Sequence, residues 1–538
     1  MSSTAQPVGE PLLTSSQLRE VESANAQIDL MRRAGKAAAD FLIARTTPDL
    51  HLVLFAGPGN NGGDALACAA ELAQVGYAPF VVLLGDPESF GNDAARALLR
   101  VVELQSLPNT SGSAPSPLAG EGWGEGEVGL TRDLSSSIQA PPLPQPHSLR
   151  GRGGQIAVLR EIPLATNADW IVDGLFGIGL KRPLNGVYSD AVKVIATARA
   201  SGAQVLALDV PSGVDADTGA TLGDAVVHAD FTLTFIANKP GLVTGPALDY
   251  VGELQLATLG VHLPAQLNTA HLLSSGYLAA VQRTSQANAH KGSHGTCVII
   301  GGATGMLGAA LLASRAAMRA GAGKVKVGWL AEPHPLVDPL MPEVMMGGAA
   351  ALVNVDCDAL VIGCGLGVSG AAVRTLKSAL RRDLPLVIDA DALNLIAQSA
   401  ELATLVQRRK AATIFTPHPA EAARLLGCST ADVQRDRFRA AHDLATTYRC
   451  IVVAKGAGTV VSDGTTTTVN GTGNPLLATA GTGDVLAGML GALLAHGFDA
   501  ATAARLGVCM HGAAADALHA NGVKRAVASD IINALGTL

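Results

Sequence analysis

His51-Leu52-Val53-Leu54-Phe55-Ala56-Gly57-Pro58-Gly59-Asn60-Asn61-Gly62-Gly63-Asp64 is the stretch whose reading decides the fold. Its first six residues form a short apolar run of the kind that a strand buried on both faces shows. The glycines then turn the chain into an alanine-rich segment that reads as a helix ending near Gly76. A buried strand feeding a helix through a glycine turn opens a β-α-β unit, and sheets built from such units bind ligands at the carboxyl ends of their strands. Working outward, Pro79 to Leu84 is the next strand and Asn92 to Val102 the next helix. Upstream, Thr14 with Gln17 spells a capping box ahead of Leu18, Val21, Ile28 and Met31 at helical spacing.

From about Pro108 to Gln155 the pattern gives way to Ser, Pro and Gly, which cannot bury enough apolar surface to offset the entropy of ordering. A disordered, dispensable surface insertion is expected there. Strands resume at Trp170-Ile171-Val172-Asp173 and Val205-Leu206-Ala207-Leu208-Asp209, with a helix from Val187 to Arg199 between them and a further strand from Phe231 to Ile236. The region from about Leu259 to Ala289 reads as a link. A second alternation starts at Cys297-Val298-Ile299-Ile300, continues in a helix from Gly308 to Ala320, and has further strands at Leu360, Pro385, Ala412 and Ile451. Two α/β domains are expected, over residues 1–260 and 261–538.

Composition agrees. The 538 residues are 48% hydrophobic, with 61 glycines and 3% aromatics, as thin α/β layers joined by tight turns require. A net charge of −7 offers nothing to nucleic acid or an anionic membrane, so anions must be held locally by backbone amides and single lysines. The seven cysteines lack a C-x-x-C pair or zinc spacing, and no long uncharged apolar segment occurs. A reducing cytoplasm is the expected location.

Several loops carry chemistry, each with a plain structural reading beside it. Gly57, Gly59 and Gly62 satisfy the dinucleotide fingerprint, yet the same glycines serve a tight turn, and Asn60, Asn61 and Asp64 are more polar than a simple pyrophosphate site needs. Asp173 and Asp209 either cap the turns after their strands or serve a site. In the second reading Asn61, Asp173 and Ser212 give oxygen ligands to a hard cation and Asp209 stays free for proton transfer. Spacing leaves both open. Lys455-Gly456-Ala457-Gly458-Thr459 is a β-turn or a phosphate loop, and His418, between two prolines, is a cap or a contact residue. Cys364 reads as a small residue in a turn. Near the end, Asn470-Gly471-Thr472-Gly473-Asn474 and Gly481-Thr482-Gly483-Asp484 lead into an apolar helix, whose free amides form an anion hole with Asp484 in its first turn.

Taken together, these motifs resemble the bifunctional NAD(P)H-hydrate repair enzymes, in which an epimerase domain is fused to an ADP-dependent dehydratase domain. In the first half the resemblance rests on Gly57 to Asp64, on the Asp173 to Pro183 stretch with its loop Gly177-Ile178-Gly179-Leu180-Lys181-Arg182-Pro183 and on Asp209-Val210-Pro211-Ser212-Gly213. In the second it rests on Lys291-Gly292-Ser293-His294-Gly295, Gly301-Gly302 to Ala310, Gly363 to Gly367, Asp389 to Asn394, Thr416 to Glu421, Lys455 to Thr459 and Gly471 to Gly488. Cys364 departs from the proline usual in that family, and the 108–155 insertion interrupts the first half.

The resemblance implies a Rossmann-like three-layer first domain and a ribokinase-like second. It implies that Asn60, Asn61, Gly62, Gly63, Asp64, residues 177–183 and Asp209 hold the hydrate, with potassium on Asn61, Asp173 and Ser212 and Asp209 catalytic. In the second domain Asp484 is the general base, and Ala309, Gly365 and His418 contact the hydrate. Lys455, Gly456, Ala457, Gly458, Thr459 and Gly483 contact ADP, which magnesium accompanies. The expected partners are NAD(P)H hydrates and ADP, with no nucleic acid and no membrane, in a homo-oligomer. The competing expectation is a ribokinase-class small-molecule kinase joined to a ligand- or protein-binding module.

Overall fold

The computed structural model describes residues 9–86, 90–105, 156–162, 167–264, 269–281, 288, 290 and 292–537. The expected disordered insertion and Lys291 lie outside them.

The first half is built on a seven-stranded, all-parallel sheet in the order Ala157–Leu159, Phe80–Leu83, Leu52–Ala56, Trp170–Gly174, Gln204–Leu208, Phe231–Phe235, Glu253–Ala257. Alternate residues of the opening strand point to opposite layers, as the two-residue period demands. Leu52, Leu54 and Ala56 pack under the helices Leu30–Ile43 and Asn60–Gln74, whereas Val53 and Phe55 pack under Val187–Ala200. Both faces are covered, which is why the strands read as unbroken apolar runs. The capping box forms as expected, with the Thr14 and Gln17 side chains each bonding the other's backbone N–H at the start of Ser15–Ala24.

The second half has an eleven-stranded sheet. Seven parallel strands run in the order Ile451–Ala454, Thr413–Phe415, Leu386–Ile388, Ala359–Ile362, Thr296–Gly301, Lys324–Trp329, Met345–Gly348. The hairpin Val460–Ser462 and Thr467–Asn470 extends it antiparallel, followed by Ala270–Leu273 and an edge strand, Glu10–Leu12, from the start of the chain. Helices Leu307–Arg319, Thr482–Ala495 and Ala500–Ala520 cover one face, and Gly370–Leu380, Ala390–Ala397 and Arg437–Tyr448 the other. At Gly488 a Cβ would lie 1.9 Å from the Ala313 carbonyl oxygen, so the helices Thr482–Ala495 and Leu307–Arg319 meet backbone to backbone only because the residue is glycine.

The halves share one core: Leu12, Val210, Val214, Leu242 and Val243 belong to the same buried cluster as Ile362, Ile388, Phe415 and Val460. Among the described residues, no helix is long and apolar enough to cross a membrane.

Candidate functional sites

In the first half, the loops after Leu52–Ala56, Trp170–Gly174 and Gln204–Leu208 surround a cavity of about 570 Å³. Asn60, Asn61, Asp64, Gly177, Ile178, Gly179 and Asp209 line it. Leu180 packs into the core, and Lys181 is paired with Asp215 and Asp217; neither belongs to that lining, nor do Gly62, Gly63, Arg182 and Pro183. A Cβ on Gly62 would lie 2.0 Å from the Gly57 oxygen, which accounts for that glycine by packing alone.

Two residues absent from the sequence reading enter this cavity. Lys239, 1% exposed, forms an ion pair with Asp209 and donates to Thr234 Oγ1 (2.7 Å) and the Phe235 carbonyl (2.8 Å). Glu22 reaches the cavity from the Ser15–Ala24 helix, and burial together with the charge of Asp209 pushes its carboxyl above the ordinary range. Lys239 had a legible signal in Lys239-Pro240-Gly241 just beyond a parallel strand; Glu22 had none. Asp209 itself holds a left-handed backbone (φ +61°), a conformation that costs a non-glycine residue free energy and that concentrates at functional sites.

Beneath the cavity Asp173 is fully buried. It accepts from the Ser212 hydroxyl (2.7 Å), the Ser212 N–H (2.8 Å) and the Leu175 N–H (3.1 Å). Asp173 therefore caps the turns after its strand, as the structural reading expects. Burial pushes its carboxyl up to about 6 although these donors pull the other way. The amide of Asn61, 6% exposed, has no partner for either polar atom among the described residues. An orphaned amide beside a buried carboxylate fits a bound cation.

In the second half, the loops after Thr296–Gly301, Ala359–Ile362, Leu386–Ile388, Thr413–Phe415 and Ile451–Ala454 gather at the same sheet edge. Val485 is the first residue whose N–H closes the Thr482–Ala495 helix, by bonding to Gly481 O (3.0 Å), so the amides of Thr482, Gly483 and Asp484 are left for an anion. Gly481 enters at φ +89°. Lys455 Nζ donates to Asp389 Oδ1 (2.7 Å) and stands so near Gly483 that a Cβ there would lie 3.2 Å away. Asp389 caps the helix Ala390–Ala397 by accepting from Ala390 N–H (2.9 Å).

The Asp484 carboxyl is pushed up to about 6, chiefly by burial and then by the charge of Asp389, against a hydrogen bond from Cys364 and the charge of Lys455. Gly365 touches Ala309: its missing Cβ would lie 3.1 Å from Ala309 Cβ. His418 caps Pro419–Leu426, with Nδ1 accepting from Ala420 N–H (3.1 Å), and its Nε2 lies 3.3 Å from Glu421. The capping reading is thus observed, and the ring remains about half exposed near the charge of Lys455.

The loop 455–459 rests on the first half of the chain. Thr244, fully buried, places Oγ1 2.7 Å from Gly458 O and 3.2 Å from Ala457 O and accepts from Arg437 Nε (3.1 Å). Arg437, 2% exposed, also donates to Ala454 O (3.0 Å) and Gln434 Oε1 (2.9 Å). Neither was legible as functional, because an arginine in a helical segment reads as surface.

Residues 297–536 match the family described as NAD(P)H-hydrate dehydratase, and residues 27–241 the family described as YjeF-related protein N-terminus. The chain is 36% identical over 529 residues to the bifunctional NAD(P)H-hydrate repair enzyme Nnr of Coxiella burnetii, covering 96% of each chain. It is 35% identical over 548 residues to the enzyme of the same name from Vibrio cholerae, covering 98% of each. Among solved structures, an ADP/ATP-dependent NAD(P)H-hydrate dehydratase from Bacillus subtilis is 29% identical, covers 49% of this chain and 95% of its own, and has a TM-score of 0.44. The near-full-length relatives favour the repair reading over the kinase reading.

Proposed function

The chain belongs to the family of bifunctional NAD(P)H-hydrate repair enzymes, and we propose from that premise that its first half interconverts the R and S hydrates of NADH and NADPH while its second half dehydrates the S form at the expense of ADP. The observation that carries the second activity is the convergence of Asp484, Lys455 and an open helix N-terminus in one loop cluster. Asp484 takes the proton of the ring hydroxyl as its oxygen attacks the terminal phosphorus of ADP and the bond to AMP breaks. The free amides of Thr482 to Asp484 and the ammonium of Lys455 stabilise the charge that grows on the transferred group. The phosphate then leaves with a proton from the neighbouring carbon, and the nicotinamide double bond returns. The contacts assigned to Ala309, Gly365, His418 and residues 455–459 belong to this reading, as does Asp209 as the catalytic group of the first half.

Potassium on Asn61, Asp173 and Ser212 is supported by the orphaned Asn61 amide and the buried Asp173 carboxyl. When bound it would supply a fixed positive charge that ties three loops together. Magnesium would arrive on the nucleotide phosphates. The cluster of Cys364, Asp389 and Asp484 does not suit it, because a thiol is a soft ligand and Lys455 already holds Asp389. A cytoplasmic setting is supported by seven free cysteines, and a homo-oligomer by Leu336 and Leu340, apolar side chains 84% and 77% exposed.

The test is a coupled assay with mixed hydrates, ADP and magnesium. Nicotinamide absorbance should return with AMP and phosphate as products, and Asp484→Ala should slow this by roughly 10²-fold or more with little change in ADP affinity. An accumulating phosphorylated hydrate, or an equal loss of ADP binding in the variant, would refute the assignment.

A further inference from the structure

The interconversion assigned to the first half has a chemical requirement that its cavity meets. The hydrated double bond of a dihydronicotinamide is an enamine, so water leaves its hydroxyl on the carbon next to the ring nitrogen. Such a hydroxyl departs once protonated, because the nitrogen lone pair stabilises the cation. Inversion by this route needs an acid on one face of the ring and a base on the other.

Asp64, in the helix that follows Leu52–Ala56, and Asp209, in the loop after Gln204–Leu208, approach the cavity from two strands apart, with the strand Trp170–Gly174 and its glycine loop between them. Gly177 of that loop lies against Asp209 and Asn61, where a Cβ would lie 3.3 Å from Asp209 Oδ2 and 3.4 Å from Asn61 Cγ. The two carboxyls differ in their partners. Asp209 is ion-paired through Oδ1 with the buried ammonium of Lys239, while its Oδ2 faces the glycine loop at Gly177. Asp64 has no ion pair and no hydrogen bond among the described residues, and it faces Asp209 and Glu22. Burial first, and these two carboxylates next, hold its acid form well above the usual range, although Lys239 pulls the other way. Groups whose surroundings separate them in this way divide into acid and base.

We propose that Asp64 is the general acid and Asp209 the general base of the epimerisation, with Lys239 as the positioning residue that holds Asp209. Asp64 gives its proton to the ring hydroxyl, the C–O bond breaks, water leaves, and the nitrogen lone pair forms a C=N bond. A second water attacks the same carbon from the opposite face, the C=N pair returns to nitrogen, and Asp209 takes the proton of the incoming water. One water leaves and one enters, with no net oxidation. The enzyme left with Asp209 protonated and Asp64 ionised is the form that runs the reverse inversion with the roles exchanged.

The proposal rests on the epimerase reading, and the full-length chain tests both. A single turnover of purified R hydrate in ¹⁸O-water should yield S hydrate carrying solvent oxygen. S hydrate that retains its original oxygen, as opening of the ring at the C–N bond would give, overturns the proposal. Asp64→Asn should lower the maximal rate of interconversion in both directions by roughly 10²- to 10⁴-fold, with a far smaller change in the epimerase KM for the hydrate. The dehydratase rate of the same variant reports that it is folded. A raised epimerase KM with the maximal rate kept would make Asp64 a contact residue and refute its role as acid. If the wild-type chain does not interconvert the hydrates at all, the epimerase reading itself fails.

Discussion

Thr244 belongs to the first half of the chain but should set how well the second half binds ADP. Thr244→Val keeps the shape of the side chain and removes the hydroxyl that lies against Gly458 O and accepts from Arg437 Nε. Around a fully buried residue no water replaces it, so a buried guanidinium N–H and a loop carbonyl lose a partner at once. Leaving such groups unsatisfied costs about 1–3 kcal/mol. The cost falls on the loop 455–459, whose close approach is built in: a Cβ on Gly458 would lie 2.1 Å from Val243 O. If the loop must recover this arrangement to hold ADP, the KM for ADP rises by roughly 5- to 150-fold, since each 1.4 kcal/mol is about a factor of ten. The maximal rate should change little, because Asp484 and the amides of its helix are untouched. The assay is the initial rate of nicotinamide recovery at varied ADP, backed by equilibrium ADP binding, because KM equals Kd only when chemistry is slow. Thr244→Ser, which keeps the hydroxyl, is the control. A valine variant that retains the wild-type epimerase rate and an ADP KM within twofold of wild type would refute the reasoning.

If Asp484 is the base proposed above, the dehydratase rate should hold level above pH 7 and fall tenfold per unit below about pH 6, because a base must be ionised and this carboxyl is pushed up to about 6. Cys364→Ala, which removes the thiol bond that lowers this value, should move the midpoint upward; an unmoved midpoint would deny that bond. Gly177→Ala places a methyl against Asp209 and Asn61 and should slow the epimerase by roughly 10²-fold while sparing the dehydratase. Equal loss of both activities would show instead that the loop folds wrongly.

Much of the architecture was legible because parallel strands covered on both faces leave continuous apolar runs, as at 52–56, 170–172 and 205–208. Strands without that burial were not. Glu253–Ala257 is only partly covered, and Glu10–Leu12 is three residues long with its partner in the other half of the chain. The site divides along the same physical line. Asp484, Lys455 and His418 announce themselves through the turns that carry them. Lys239, Glu22, Thr244 and Arg437 gain their meaning from contacts between distant segments, and nothing in a single sequence states that an arginine will be 2% exposed.

The edge strand Glu10–Leu12 also bears on how the protein is made. The strand it pairs with, Ala270–Leu273, is synthesised on the order of tens of seconds after it at ordinary elongation rates. Its neighbours, Leu13 bonded to Asn238 and Ser15 to Asp217, wait almost as long. The nascent first half therefore keeps this strand without its partner until Ala270–Leu273 has been made, and a bulky tag fused close to Glu10 would obstruct the joining of the two halves rather than the folding of the first sheet.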